Sequence, residues 1–269
     1  MTQLAKRPAP IVAETMVVDG VELEYERLQG DRSAPTLVFL HEGLGSISMW
    51  RDFPQRVVSA CGCPALIYSR EGYGQSSPLA AQQRADYMHV EALVRLPKLL
   101  DRLDIEAPIL IGHSDGASIA FIHAGARQRR VRACVAMAPH VFVEDVSIAS
   151  IAAACDAYES GGLRERLARY HRDVDSAFKG WNDVWLSPAF RDWNIESYVA
   201  AIDCPILLIQ GRDDEYGTLR QLAAIERGTA AKVSRLVLDD CGHSPQRDQP
   251  EATLGAIAAF ISEMLRSRP

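Results

Sequence analysis

What the chain lacks narrows its class first. No apolar run approaches the ~20 residues a bilayer-spanning helix needs, so a membrane is not expected as a partner. There is no excess of basic residues: 29 Lys and Arg stand against 35 Asp and Glu, a formal charge of −6. Phosphate backbones need concentrated positive charge, so nucleic acid is not an expected partner either. The one basic run, Arg127-Gln128-Arg129-Arg130-Val131-Arg132, has no aromatic platform beside it. It reads as a solvated helix end, where cations suit the dipole. The six cysteines form no C-x-x-C pair, and Cys61-Gly62-Cys63 matches no zinc or redox spacing. They read as reduced core residues of a cytoplasmic enzyme, and Cys241, although close to His243, is assigned no catalytic part. Met1 to Pro10 carry two basic residues with no apolar segment behind them, which does not read as a secretory leader. Internal repeats, low-complexity stretches and interdomain linkers are absent, and nothing calls for a metal or an organic cofactor.

What is present is ordinary globular material, 48% apolar and 24% charged, in a length of 269 residues that one α/β domain can fill. Short apolar runs recur at 36–40, 65–68, 108–111, 131–137, 206–209 and 235–238. They lack period-two alternation, as strands buried on both faces of a parallel sheet do. Between them, helices are expected over 48–60, 84–104, 115–128, 217–228 and 248–267, with a kink or restart at Pro97. Residues 15–28 read as a hairpin turning at Asp19-Gly20. Strands alternating with helices predict a three-layered α/β fold around a mostly parallel sheet.

The rhythm breaks over 141–200, which shows no convincing strand and reads as several short helices. Trp181, Trp185 and Trp193 lie here with Tyr158, Tyr170, Phe178 and Tyr198. The interval is expected to be a helical cap inserted into a core of 1–140 and 201–269, its aromatics divided between a pocket and simple adhesion to the core.

The sharpest local signal is Gly112-His113-Ser114-Asp115-Gly116, which follows the run Ile109-Leu110-Ile111 and precedes a helical segment. In strand–turn–helix context, G-x-S-x-G is a nucleophile elbow: its glycines let neighbouring backbone approach a tightly turned serine. The N–H of Asp115 then becomes one oxyanion donor. A serine hydroxyl needs a base, and His243, in the loop Asp239 to Ser244 after the last strand, is the best placed histidine. His41, His89, His113, His123, His140 and His171 lack that placement, and His113 is expected to point away from the serine. A carboxylate must hold the histidine's tautomer. The loop Gly211 to Gly217 offers Asp214 first and Asp213 second, whereas Asp239 and Asp240 would have to fold back. A second oxyanion donor is expected in His41-Glu42-Gly43-Leu44-Gly45-Ser46, at Gly43 with Leu44 close behind.

With HEGLGS at 41–46, SREGYGQS at 69–76, GHSDG at 112–116, and GRDD and CGH near the end, the chain resembles the α/β-hydrolase superfamily over almost its whole length. The order Ser, Asp, His is that family's, and family proteins place the triad acid on the third residue after the loop glycine, here Asp214. Two residues depart from the common pattern. Glu42 stands where many relatives have glycine, and is expected to point outward or pair with a base such as Arg70. Asp115 stands where Met, Leu or Gln is commoner, and is expected to cap the helix start.

The resemblance implies a serine hydrolase that cleaves a small-molecule carboxylic ester or thioester through an acyl-Ser114 intermediate. A serine at 114 excludes the aspartate-nucleophile relatives that resemble haloalkane dehalogenases and epoxide hydrolases. A carbon–carbon bond hydrolase of the meta-cleavage type uses the same triad and stays open. So do a cofactor-free peroxidase-like side activity, a proline-directed aminopeptidase and a noncatalytic ligand-binding protein. An apolar or aromatic small molecule is the expected partner, and a homodimer is compatible with the sequence.

Overall fold

The computed structural model describes residues 13–266, so Met1 to Pro10 lie outside the described residues. Asp19 and Gly20 both take positive φ, 53° and 77°, the pair of values a two-residue hairpin turn requires. They join β1 (Glu14–Val18) to β2 (Val21–Leu28) with Val18 opposite Val21. The other strands are β3 (Leu37–Leu40), β4 (Ala65–Tyr68), β5 (Ile109–His113), β6 (Ala133–Met137), β7 (Ile206–Gly211) and β8 (Val233–Leu238). They form one sheet in the order β1-β2-β4-β3-β5-β6-β7-β8. Only the β1–β2 and β2–β4 pairs are antiparallel.

Every residue of β3, β4, β5, β6 and β7 is buried. The cause is coverage of both sheet faces, which replaces alternation by continuous apolar runs. The pleat still sorts side chains: Val38, Leu40 and Leu110 enter one core, Leu37, Phe39, Ile109 and Ile111 the other.

The helices are α1 (Phe53–Cys61), α2 (Tyr87–Val90), α3 (Leu96–Arg102), α4 (Asp115–Ala126), α5 (Asp145–Ser160), α6 (Leu163–Leu167), α7 (Val174–Leu186), α8 (Glu196–Ala201), α9 (Arg220–Gly228), α10 (Pro245–Asp248) and α11 (Pro250–Arg266). Several expected helices are divided differently. The 48–60 segment is a 3-10 turn (Ile47–Trp50) and then α1, broken at Arg51, whose φ is +55°. At Pro97 the α-helix restarts as expected: α3 begins at Leu96 with the proline in its first turn. Ahead of it the backbone widens into a π turn (Glu91–Arg95) between α2 and α3, which accommodates the N–H that proline lacks. The last helix begins at Pro250, because a proline drives the preceding residue out of the α region and Gln249 takes φ −132°, ψ 61°. The segment 217–228 turns helical only at Arg220, its first residues belonging to the loop that shapes Asp214.

α4 is buried from Asp115 to Gly125, so it is the central helix of its layer rather than an amphipathic surface one. It ends in a left-handed Arg127. The basic run beyond is solvated as expected, with Arg127 paired to Asp203 and Arg129 to Asp101. Among the described residues, no helix is long and apolar enough to cross a membrane.

The interval between β6 and β7 holds α5 to α8, a 3-10 turn (Pro188–Phe190) and one isolated bridge, Phe142–Asn194. Its aromatics divide in two. Phe190 stacks on Trp193, Trp185 lies against both, and Tyr158 stacks on Phe178. Trp181 and Trp185 also line a cavity at the carboxyl edge of the sheet. By α8 the chain is back on the core. A Cβ on Gly125 of α4 would lie 2.1 Å from the carbonyl oxygen of Tyr198.

Candidate active site

Ser114 sits between β5 and α4 with φ 53° and ψ −119°, a conformation that costs a non-glycine residue free energy and persists only where the surroundings impose it. The surroundings here are tight. A Cβ on Gly112 would meet Gly116 O at 2.4 Å, and one on Gly116 would meet Leu40 O at 2.0 Å. A larger residue at 112 would push β5 off the start of α4, and one at 116 would push α4 off β3. The strained tip is Ser114 itself and not Asp115, which already belongs to the helix. Ser114 is 7% exposed, and it lines a cavity of about 250 Å³ together with Gly43, His140, Trp181, Tyr216 and His243.

His243 reaches this cavity from the loop after β8. Its Nδ1–H donates to Asp214 Oδ1 at 2.8 Å, which leaves Nε2 as the free ring nitrogen. Its backbone N–H donates to Glu215 at 3.0 Å. Asp214 is saturated: Oδ1 also accepts from the N–H groups of Tyr216 and Gly217, and Oδ2 from Gln210. Burial pushes its pKa up, but His243 and these donors overcome that and hold the carboxyl at about 2. Asp213 is exposed, and Asp239 pairs outward with Arg212. The Cys241 thiol is buried and pushed up to about 11, chiefly by burial, which suits a core residue and not a nucleophile.

The loop 41–46 lies against the elbow, with Gly43 under the helical interval. A Cβ there would fall 2.2 Å from Trp181 Nε1, so only glycine lets the indole pass over this backbone. The N–H groups of Gly43 and Asp115 have no acceptor among the described residues. The loop is pinned by Arg70 and His171. Arg70 donates to His41 O (2.5 Å) and Glu42 O (3.0 Å), and His41 Nε2 accepts from the Arg70 N–H. His171, from the helical interval, donates through Nε2 to Leu44 O while its Nδ1 accepts from Gly74 N–H, each at 3.0 Å.

A model of the alpha/beta hydrolase family matches residues 37–256, a span that contains the elbow, the loop 41–46, Asp214 and His243. The chain belongs to that family. Among curated proteins, it is 26% identical over 283 residues to Esterase Rv0045c of Mycobacterium tuberculosis, covering 93% of each chain. It is 25% identical over 277 residues to a 2-hydroxy-6-oxononadienedioate/2-hydroxy-6-oxononatrienedioate hydrolase of Pseudomonas putida, covering 90% of this chain and 92% of that one. Among solved structures, the haloalkane dehalogenase DbeA of Bradyrhizobium elkani superposes with a TM-score of 0.78 at 21% identity, over 96% of this chain and 100% of that one. That likeness carries the fold alone.

Within this alpha/beta hydrolase, two residues depart from the expectation. The Glu42 carboxylate pairs with a base, as one of the two expectations had it, but that base is His113; only the Glu42 carbonyl meets Arg70. The carboxylate takes His113 Nδ1 at 3.3 Å, while His113 Nε2–H donates to the carbonyl of His243 at 2.7 Å. His113 thus points away from the serine, as expected, but it ties the loop 41–46 to the loop of His243. Burial opposes charge on both partners. Each nonetheless stabilises the other's ion, so Glu42 falls to about 2 and His113 is raised. Asp115 does not cap α4 either, since the helix start has no side-chain cap. Its Oδ2 accepts from Tyr87 Oη–H at 2.5 Å, Trp185 Nε1–H donates on to Tyr87 Oη at 3.0 Å, and Arg70 lies 4.0 Å from Oδ2.

Sequence reasoning missed three positioning groups, His113, His171 and Arg70, and one cavity-lining group, His140. The His140 ring lies 5.7 Å from that of His243 and 5.3 Å from Trp185. Burial and the neighbouring His243 push its pKa down to about 3, so it is neutral. Its position three residues beyond β6, at the carboxyl edge, is a signal that was available. Among the described residues, no group of His, Cys, Asp and Glu is arranged to hold a metal.

Proposed function

We propose that the protein hydrolyses small carboxylic esters or thioesters through an acyl-Ser114 intermediate. The observation that carries this reading is a strained serine in one cavity with a histidine whose Nδ1–H is fixed on a buried carboxylate at 2.8 Å. Attack of Ser114 Oγ on the carbonyl carbon forms the new C–O bond as His243 Nε2 takes the hydroxyl proton. The developing oxyanion is met by the N–H groups of Gly43 and Asp115, whose lack of an internal acceptor supports that role. Collapse breaks the bond to the leaving oxygen or sulfur, which receives the proton from His243. Water, deprotonated by His243, then attacks the acyl carbon; the bond to Ser114 Oγ breaks, Oγ takes the proton back from His243, and the acid is released. Asp214 stabilises the imidazolium and fixes its tautomer throughout.

The apolar lining, with Ile151, Leu163, Leu167, Trp181 and Trp185, favours an aromatic or aliphatic small molecule. The segment 141–200 acts as a cap in this reading, contributing those side chains and, through His171, holding the loop 41–46. A fluorophosphonate probe tests the nucleophile. Wild-type protein is expected to label and Ser114→Ala protein is not; equal labelling of the two rejects the assignment.

A second reading, carbon–carbon bond hydrolysis, draws support from the likeness to the Pseudomonas putida hydrolase. Aryl esters, acyl thioesters and ring-fission diketones assayed side by side separate the two, since turnover confined to diketones rejects ester hydrolysis.

A further inference from the structure

The cavity holds a second buried carboxylate for which ester hydrolysis has no use. Asp115 is fully buried and lines the cavity, and its Oδ1 has no hydrogen-bond partner among the described residues. A buried carboxylate oxygen left without a donor keeps its full desolvation penalty, so the vacant acceptor is binding capacity that a ligand can fill. The charge is already balanced. Arg70 is buried 4.0 Å from Oδ2 and ion-pairs with no other carboxylate among the described residues. The pair is neutral when Asp115 is ionised, and an ionised carboxylate only accepts. A ligand ammonium would leave one uncompensated buried charge, whereas an uncharged hydroxyl would not.

Position follows from the proposed chemistry. The Asp115 N–H faces the oxyanion, so its own carboxylate reaches only groups close to the scissile carbonyl. The leaving group must lie at His243, which packs among His113, His140 and Tyr216. The Asp115 carboxylate lies instead beside Tyr87 and Arg70, which do not line the cavity, and beside Trp185, which does. The Trp185 side of the cavity is left for the acyl chain.

We propose that Asp115 is a specificity residue that accepts a hydrogen bond from a hydroxyl on the second or third carbon of the acyl chain, making 2- or 3-hydroxyacyl esters the preferred substrates. This rests on Ser114 being the nucleophile.

The test uses p-nitrophenyl esters in two series. One comprises phenylacetate, both enantiomers of mandelate and O-methylmandelate; the other comprises 3-phenylpropanoate and its 3-hydroxy derivative. Wild-type protein is expected to show kcat/KM at least about tenfold higher for a hydroxy ester than for its parent, with no gain from the methoxy ester, which accepts but cannot donate. In Asp115→Asn and Asp115→Leu proteins that ratio should fall to within about twofold of one. A ratio of one or below in both wild-type series, or a ratio unchanged in the variants, overturns the proposal. Should both variants lose cooperative melting, the wild-type comparison of hydroxy, methoxy and parent esters decides alone. Titrating Ser114→Ala protein with the same esters, read by tryptophan fluorescence, separates the two layers of the argument. A hydroxy preference in binding without wild-type turnover sinks the hydrolase reading alone. Turnover with no hydroxy preference sinks the Asp115 assignment alone.

Discussion

Two buried carboxylates line opposite fates in one site. Asp214 accepts from His243, Tyr216, Gly217 and Gln210 and is held at about 2. Asp115, equally removed from water, accepts one hydrogen bond, from Tyr87, and lies 4.0 Å from Arg70. Burial raises its pKa, although Arg70 and Tyr87 pull the other way. A saturated carboxylate has nothing left to offer a ligand and works by fixing its neighbour. An unsaturated one still has an acceptor to give. The same residue type thus has two different neighbourhoods in one site: the donors around Asp214 leave it no acceptor to spare, and those around Asp115 leave Oδ1 open.

The largest expected effect breaks the His243 wall. Asp214→Asn should lower kcat toward p-nitrophenyl acetate by about 10⁴, because the amide favours the wrong imidazole tautomer. Asp213→Asn, at an exposed position, should stay within about twofold. Equal losses in the two variants would exchange their roles. Next comes the floor between the walls. Gly43→Ala sets a Cβ against the Trp181 indole and displaces the N–H proposed to meet the oxyanion, so kcat should fall about a hundredfold with KM less affected. A change in KM alone would argue that Gly43 serves binding and not the oxyanion.

On the Asp115 side, Tyr87→Phe removes the one hydrogen bond to that carboxylate. Thermal unfolding should show a loss of about 1–3 kcal/mol, and the preference for hydroxy esters should change with it. An unaltered melting temperature would show that the carboxylate finds another donor.

The smallest effect concerns the Glu42–His113 pair. Glu42 is depressed from 4.5 to about 2, so its contribution is present above pH 4.5 and fades as pH falls toward 2. His113 is raised above 6.5, so its contribution is complete below pH 6.5 and is lost as pH rises through the folded value. The pair stabilises most between pH 4.5 and 6.5. The melting-temperature deficit of His113→Asn should be larger at pH 5.5 than at pH 9, and equal deficits would show that the pair is not an ion pair.

Much of this site was legible in the chain because its parts are local. The elbow needs Gly112 and Gly116 within five residues, Asp214 follows a strand whose continuous apolar run marks it as internal, and His243 follows the last strand, which the structure places at the sheet edge. The divided helices were less legible. Pro97 announces the restart of the α-helix at Leu96, but not the π turn that precedes it, which depends on packing. Glu42, His113, His140 and His171 were illegible in their roles because each partner lies far along the chain: His113 meets the carbonyl of a residue 130 positions away, and His171 one 127 positions away.

By itself, the sequence determined the sheet's buried strands, the hairpin at Asp19-Gly20, the elbow and the order of Ser114, Asp214 and His243. Each of these depends on backbone conformation or on periodicity within a few residues. Only the tertiary structure decided what surrounds the two aspartates. Gln210, Tyr216 and Gly217 reach Asp214 from within four residues, but His243 comes from 29 positions away, and the one donor to Asp115, Tyr87, from 28. Whether a buried carboxylate ends saturated or open is a property of that assembled neighbourhood, and the local stretch of chain does not contain it.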